Sequence, residues 1–425
     1  MKGRVKMENK MIFDLLEGDK IVSLAFRQIR RGGGGEGFGD GIVIHSREKL
    51  LVESLSIAKY IKKKLDGSES SDRGILLCGG GMYETLILTV ASSILSCRLF
   101  LTDKLPTESY GCGVIVAESP TADGFSLSIS FDELGSLVLG ELSSLEDFDW
   151  EYSQNSLCEL CFLGRSGLEI YSEDKALDLA REYKSALKIS PLSTLFSTLP
   201  AYTKEGFFGG LLCPLLFARK WVLTRPTAAL FEQIKLTSPS VLLCEGETQD
   251  AIAAEMEKLR RAPRLWQRGK GTHPLKVKFD KLFPKTRAAL RRLKMIYVHY
   301  HFGGKLKRIA TLGEGEVGAV ESLHSFGVTS TSILTVDLCG FVGFRVSGDR
   351  ECLWRLPKGL FADMCSVGQS GVGKLTFYGK DLALGSSSGH TFESGSFRSE
   401  FFEELILVSD LYGFPAQKGV FYVKK

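Results

Sequence analysis

Residues Thr194 to Arg225, TLFSTLPAYTKEGFFGGLLCPLLFARKWVLTR, constrain the fold more than any other stretch. An apolar run ends at Leu199-Pro200, and a polar loop follows at Tyr202-Thr203-Lys204-Glu205. Gly206 opens a long apolar segment containing Gly209-Gly210, and Trp221-Val222-Leu223 reads as a strand. Strand, loop, buried helix and strand in that order form a βαβ unit. Paired glycines in a helix cost stability unless another backbone or a ligand packs closely against them. The stretch is therefore expected to be the core crossover of a large α/β domain.

The flanking sequence repeats the alternation. Ile42-Val43-Ile44 reads as a strand before an amphipathic helix over Arg47 to Leu65, whose Lys62-Lys63-Lys64 end suits the helix dipole. Gly74 to Cys78 is a strand, Gly79-Gly80-Gly81 a turn, Met82 to Ser96 a helix, and Arg98 to Leu101 and Gly113 to Val116 further strands. These intervals imply a parallel sheet covered on both faces. Phe125 to Phe131 alternates apolar residues with serine, as in a half-buried antiparallel strand. Leu157 to Tyr171 reads as a strand with a glycine loop, Lys175 to Leu187 as a helix, Val241 to Cys244 as a strand, Gln249 to Arg261 as a helix and Met295 to Val298 as a strand. Beyond Glu321 the strands shorten and glycine rises, at Gly340 to Val346, Gly373 to Tyr378, Glu404 to Val408 and Gly419 to Val423. The organisation is a 1–41 extension with a Gly-rich linker, paired α/β subdomains over 42–320, and a β-rich subdomain over 321–425.

Composition excludes several function classes. The 425 residues are 44% hydrophobic and 24% charged, an ordinary globular balance, and a net charge of +4 gives no argument for nucleic acid. No run reaches the ~18 apolar residues of a membrane span, which leaves peripheral contact as the form of any membrane association. The charged N-terminus has no export pattern, so the expected location is cytoplasmic. Ten cysteines, several within apolar runs, are then free thiols rather than a disulfide framework.

Four motifs carry chemistry elsewhere. Gly368 to Leu375 matches the first seven places of a P-loop, but Leu375 stands where a magnesium-binding hydroxyl is needed and the chain continues as a strand, so a hairpin turn is the better assignment. Cys158-Glu159-Leu160-Cys161 lacks the second pair that zinc needs and the helix start that redox chemistry needs. His299 and His301 would share one strand face, half a metal site with nothing to complete it. Gly164-Arg165-Ser166-Gly167 leaves a buried strand as a glycine loop, able to offer backbone amides to phosphate, although as a bare motif an ordinary tight turn is the better assignment.

The order of these pieces resembles the large N-terminal domain of the adenylate-forming (AMP-binding) superfamily, most closely the long-chain fatty acyl-CoA synthetases. The family motif L-P-x-x-H-x-x-G before an apolar helix matches Leu199-Pro200 and Gly206, with Thr203 at the histidine. Asp410-Leu411-Tyr412-Gly413 followed by Gly419 to Val423 resembles the stretch whose aspartate holds the ribose hydroxyls. The resemblance implies an acyl-CoA synthetase-like N-terminal domain: two α/β sheet subdomains and a smaller β-rich one. It implies nucleotide contacts at Gly164, Arg165, Ser166, Gly167, Thr335 and Asp410, and a substrate pocket at Tyr202, Thr203, Gly206 and Gly209. If active, the chain would use ATP, Mg2+ and coenzyme A on a fatty acid or other carboxylate.

The departures are as informative. Ile170 stands at the family's phosphate-loop lysine. Ser332 to Val336 stands at the aromatic-Gly-x-Thr-Glu motif, where only Thr335 survives and Asp337 is the nearest carboxylate for a metal. The small C-terminal domain, which carries a second lysine, is expected to be absent or to come from a separate chain. Adenylation is driven by electrostatic stabilisation of charge on phosphorus, and each such group is worth about 100-fold or more in rate. The expectation is a ligase-like protein impaired or inactive alone, or a binding or scaffold protein of the same fold.

Overall fold

A computed structural model describes residues 25–30, 41–45, 47–65, 74–105, 110–120, 124–139, 159–164, 167–218, 220–223, 230–261, 295–313, 316–336, 340–346, 353–357, 360–365, 373–379, 396–398, 405–417 and 420–423. Two sheets organise them. In the smaller, six-stranded sheet the order is Leu127–Ser130, Cys112–Ala117, Gly74–Cys78, Leu99–Thr102, Glu159–Gly164 and Gly167–Ser172. Every pairing is parallel except the last, a hairpin with Gly164 opposite Gly167. The central strands are buried along their length, as parallel strands covered on both faces must be.

The larger sheet has 14 strands. Its parallel part runs Ala25–Arg30, Lys220–Leu223, Thr194–Ser197, Val241–Glu245, Arg308–Leu312 and Thr329–Val336. Beyond Thr329–Val336 it continues with antiparallel strands through Gly340–Val346, Leu353–Arg355 and Val420–Val423 to Leu405–Gln417, Gly373–Gly379 and Leu360–Cys365. The glycine-rich C-terminal strands therefore extend the large sheet. One apolar cluster joins the two sheets: it holds Leu77 and Leu101 of the smaller, Leu195 and Leu243 of the larger, and Leu86, Leu177 and Leu211 from helices between them.

The crossover read from Thr194 to Arg225 is present, with Lys220–Leu223 parallel to Thr194–Ser197. Its helix begins as a π-helix over Gly206–Leu212 and becomes an α-helix over Cys213–Phe217. The wide turn closes with the Cys213 N–H donating to the Phe208 carbonyl, five residues back. Pro214, at the start of the α segment, has no N–H to continue the ladder. A Cβ on Gly209 would lie 2.7 Å from the Tyr183 ring and one on Gly210 would lie 2.5 Å from Ser197 Oγ, so both glycines are set by close packing.

Two expectations are corrected. Leu127–Ser130 pairs parallel, not antiparallel, with Cys112–Ala117 and runs straight into the helix Phe131–Leu139, because alternating polarity encodes the faces of a strand but not its direction. Residues 295–301 are helical rather than a strand. Met295, Val298 and Phe302 recur at helical spacing and pack into one cluster with Ile234, Leu242 and Leu323. The two histidines thus lie on different sides of a helix; His299 Nε2 is 2.8 Å from the Phe326 carbonyl and His301 stacks edge-on to Tyr297. Among the described residues no group of three His, Cys, Asp or Glu could hold a metal ion, and no helix is long and apolar enough to cross a membrane.

Gly206 provides the sharpest packing test. A Cβ there would fall 1.9 Å from the Pro200 carbonyl oxygen, whereas one on Gly318, on the exposed face of helix Val317–Ser325, meets nothing within 4 Å. Gly206→Ala is expected to lower stability by about 2 kcal/mol or more, and Gly318→Ala to raise it by up to ~1 kcal/mol. Urea midpoints of the two variants check this, and equal shifts would refute the packing argument.

Candidate functional site

The loop after strand Thr194–Ser197 is built around Thr203. Its hydroxyl donates to the Pro200 carbonyl at 2.8 Å and accepts from the Gly206 N–H at 3.1 Å. Its backbone N–H also reaches the Pro200 carbonyl at 3.2 Å, and its carbonyl accepts from Phe207 at 2.8 Å. One short side chain thus caps the π-helix and fixes the turn before it. The position at which the resemblance calls for histidine is occupied by a residue whose hydroxyl proton is given to the turn.

The neighbouring hairpin is docked onto this unit by rings and charge. Phe162 meets Phe207 and Phe208 edge-on at 5.5 and 5.4 Å, and Tyr171 meets Phe208 at 5.1 Å. Glu169, 1% exposed, accepts from Lys204 Nζ at 3.0 and 3.2 Å and from the Tyr171 hydroxyl at 2.6 Å, and Lys204 is itself only 11% exposed. The loop's cation is therefore neutralised inside the protein. Ile170, where the resemblance calls for a lysine, points the other way into an apolar cluster with Leu76, Phe100, Ile115 and Cys161. The described lysine docked on the hairpin, Lys204, is held by Glu169.

A cavity of about 650 Å³ opens at the carboxyl ends of the smaller sheet's parallel strands. Its floor is the turn from Cys78 through Gly79, Gly80 and Gly81 to Met82. Gly79 and Gly80 hold φ of +74° and +83°, left-handed backbone that glycine adopts without strain. Gly81 caps the helix Met82–Leu95, and its N–H donates to Glu84 Oε2 at 2.9 Å. Asp103 and Leu105 stand on one side, Ala117, Glu118 and Ser119 on the other, with Phe131 near them. Leu199, Pro200, Ala201 and Tyr202 of the Thr203 loop close the wall from the larger sheet. Burial, reinforced by the Asp103 carboxylate, pushes the Cys78 thiol above its ordinary range.

The residues singled out from sequence divide accordingly. Tyr202 lines the cavity; Thr203, Gly206 and Gly209 are not among its lining residues and instead support the loop and the π-helix behind it. Gly164 and Gly167 face each other across the hairpin, while Arg165 and Ser166 between them fall outside the described residues. Thr335 is half-buried and follows a register shift at Leu334/Thr335 in strand Thr329–Val336, and Asp337 is outside the described residues. Asp410 lies in strand Leu405–Gln417 within 408–412, opposite the register break between Lys374 and Thr376. The sequence reading missed Asp103, Glu118 and the Lys204–Glu169 pair. The first two carry a legible signal: strands Leu99–Thr102 and Cys112–Ala117 are each followed at once by an acidic residue.

No family model matches this sequence, and no curated protein matches it. Solved structures do match in fold. The long-chain-fatty-acid-CoA ligase FadD1 from Archaeoglobus fulgidus superposes with a TM-score of 0.69 at 11% identity, over 97% of this chain and 82% of that one. The N-terminal subdomain of Klebsiella oxytoca NpsA, in complex with 3-hydroxybenzoyl-AMSN, gives 0.66 at 10% identity over 99% of both chains. VinN in complex with L-aspartate gives 0.65 at 12% identity, over 98% of this chain and 99% of that one. The fold is that of the large N-terminal domain of adenylate-forming enzymes.

The buried ion pair yields a direct expectation. Lys204→Met leaves Glu169 charged and unpaired by an ammonium, which costs about 3–5 kcal/mol, and adding Glu169→Gln recovers much of the loss. Urea denaturation of the single and double variants measures the coupling; a single-variant loss below ~1 kcal/mol, the value of an exposed pair, would mean that the pair does not anchor the hairpin.

Proposed function

We propose that the protein is a divergent AMP-dependent ligase-like protein that binds a carboxylic acid and an adenine nucleotide beside the hairpin and the Thr203 loop, with weak or no turnover by itself. The end-to-end match to the large domain of adenylate-forming enzymes carries this reading, because it includes the hairpin, the capped loop and the glycine-bearing helix that follow one another in the sequence. In the proposal the amides of the 164–167 turn hold phosphate, with Arg165 and Ser166 assisting. Thr335 and Asp410 lie towards the nucleotide, and Tyr202, Thr203, Gly206 and Gly209 form and support the wall beside the acyl group. A long-chain fatty acid is the proposed carboxylate.

The fit to ATP, Mg2+ and coenzyme A is uneven. A backbone turn between two glycines suits phosphate. For the metal, the described residues hold no trio of His, Cys, Asp or Glu, and Asp337, the carboxylate proposed for it, lies outside them. ATP would supply the phosphoryl electrophile. The chain's own part is to orient the carboxylate and screen charge growing on phosphorus, and Lys204, the cation at the loop, already answers Glu169. A low rate follows from that electrostatics. The same observation, with Thr203 committed to the turn, favours a second reading in which the protein binds acyl or nucleotide ligands and performs no chemistry.

ATP–pyrophosphate exchange with a panel of fatty acids, with and without candidate small-domain chains, separates the readings. Weak or absent exchange by the chain alone is expected, and exchange at full rate would overturn the proposed impairment. By calorimetry the chain is expected to bind ATP, with Asp410→Ala weakening binding by about 1–3 kcal/mol. A folded chain with no affinity for ATP would sink the nucleotide reading.

A further inference from the structure

The cavity on the smaller sheet has a chemistry unlike that of a nucleotide site. Gly74–Cys78 pairs with Leu99–Thr102 on one side and with Cys112–Ala117 on the other, and the chain visits them in the order 74–78, 99–102, 112–117. The strand order therefore reverses about Gly74–Cys78, and the cavity opens at the carboxyl ends of these three strands. In open parallel α/β sheets ligands occupy the crevice at such a switch point. About 650 Å³ is room for a small molecule.

The wall decides which molecule. Among the described residues that line it the charged side chains are Asp103 and Glu118, and none is Lys, Arg or His. At the helix start on its floor the Gly81 N–H donates to the Glu84 carboxylate, so a negative charge already sits in the first turn of that helix. A phosphate or carboxylate entering would meet two like charges. The rings of Phe131 and Tyr202 also line the cavity, with Met82, Leu105 and Leu199 adding apolar surface. Carboxylates at the rim and aromatic faces together suit an ammonium on an apolar body, held by charge and by cation–π attraction.

We propose that this cavity binds a small organic cation, a protonated amine carried on an aromatic or aliphatic body, with Asp103 and Glu118 as its counter-charges. The proposal stands on the cavity and its charges and needs no nucleotide, so failure of ATP–pyrophosphate exchange leaves it intact. Conversely, its own failure leaves the adenylation reading untouched.

Cys78 gives a local probe: it lines the cavity and is half-buried, whereas Cys97, Cys112, Cys161, Cys213 and Cys244 are buried. The full chain is alkylated with a maleimide at mildly alkaline pH, with 2-phenylethylamine, 3-phenylpropionate or 2-phenylethanol present. Labelling at Cys78 is then read by peptide mass spectrometry, and affinity by calorimetry. The amine is expected to protect Cys78 and the other two compounds to protect it little. Asp103→Asn and Glu118→Gln sit on exposed side chains, so the fold should hold, with thermal midpoints as the check. Each is expected to weaken amine binding at least about threefold, the size of a charge interaction open to solvent. Equal protection by the phenylpropionate anion or the alcohol would overturn the proposal. So would an absence of amine binding, or amine affinity unchanged by both substitutions together.

Discussion

The close approach of the π-helix to its surroundings is the constraint on which the rest of the structure depends. At Gly206, Gly209 and Gly210 there is no side chain, and the space a Cβ would need is taken by the Pro200 carbonyl, the Tyr183 ring and Ser197 Oγ. Tyr183 belongs to the helix Glu173–Leu187, which follows directly from the hairpin strand Gly167–Ser172 of the smaller sheet. Ser197 ends a strand of the larger sheet. The glycines thus let one helix pack against elements continuous with both sheets, and close packing transmits any misfit at that seam to each of them. The wide π turn fits this demand, since it places Phe207 and Phe208 together against Phe162 and Tyr171 while leaving the glycines at the contact points.

From that seam the functional geometry follows. The loop before the π-helix is held by Thr203, tethered to the hairpin by Lys204 and Glu169, and presents Tyr202 to the cavity of the smaller sheet. Two surfaces of different electrostatic character therefore share one loop. On the hairpin side the cation Lys204 is neutralised by Glu169. On the cavity side the carboxylates of Asp103 and Glu118 stand without a basic residue among the described lining residues.

The crossover was legible in the sequence because its signals agree: turn residues, a glycine pair and apolar runs of helical and strand length all point to one solution. The parallel strands of the smaller sheet were legible for a similar reason, since runs such as Ile75 to Leu77 and Val114 to Val116 are apolar at every position and belong to buried strands. Strand direction at Leu127–Ser130 was not, because alternation is symmetric under reversal of the chain. Residues 295–301 misled because Ile, Tyr and Val favour strands, and a run this short leaves period and propensity in conflict. There the tertiary contacts of Val298 and Phe302 decided in favour of the helix. The π turn had no sequence signature beyond its glycines and Pro214. Ion pairing between Lys204 and Glu169 joins residues 35 positions apart and lies beyond any local pattern.

The substitutions at the site have a common physical direction. Ile170 buries apolar surface in the cluster around Phe100 where a lysine would need solvent or a phosphate to answer its charge. Thr203 satisfies backbone groups of the turn with a side chain short enough to reach both of them. Lys204 keeps a cation at the loop but gives it to a buried carboxylate. Ile170, Thr203 and Lys204 each support the folded chain through contacts inside the protein. A charge held ready for a substrate is a buried or half-buried group without its partner, which stabilises nothing until the substrate arrives. The cavity of the smaller sheet differs in this respect, because its carboxylates Asp103 and Glu118 remain exposed at the rim.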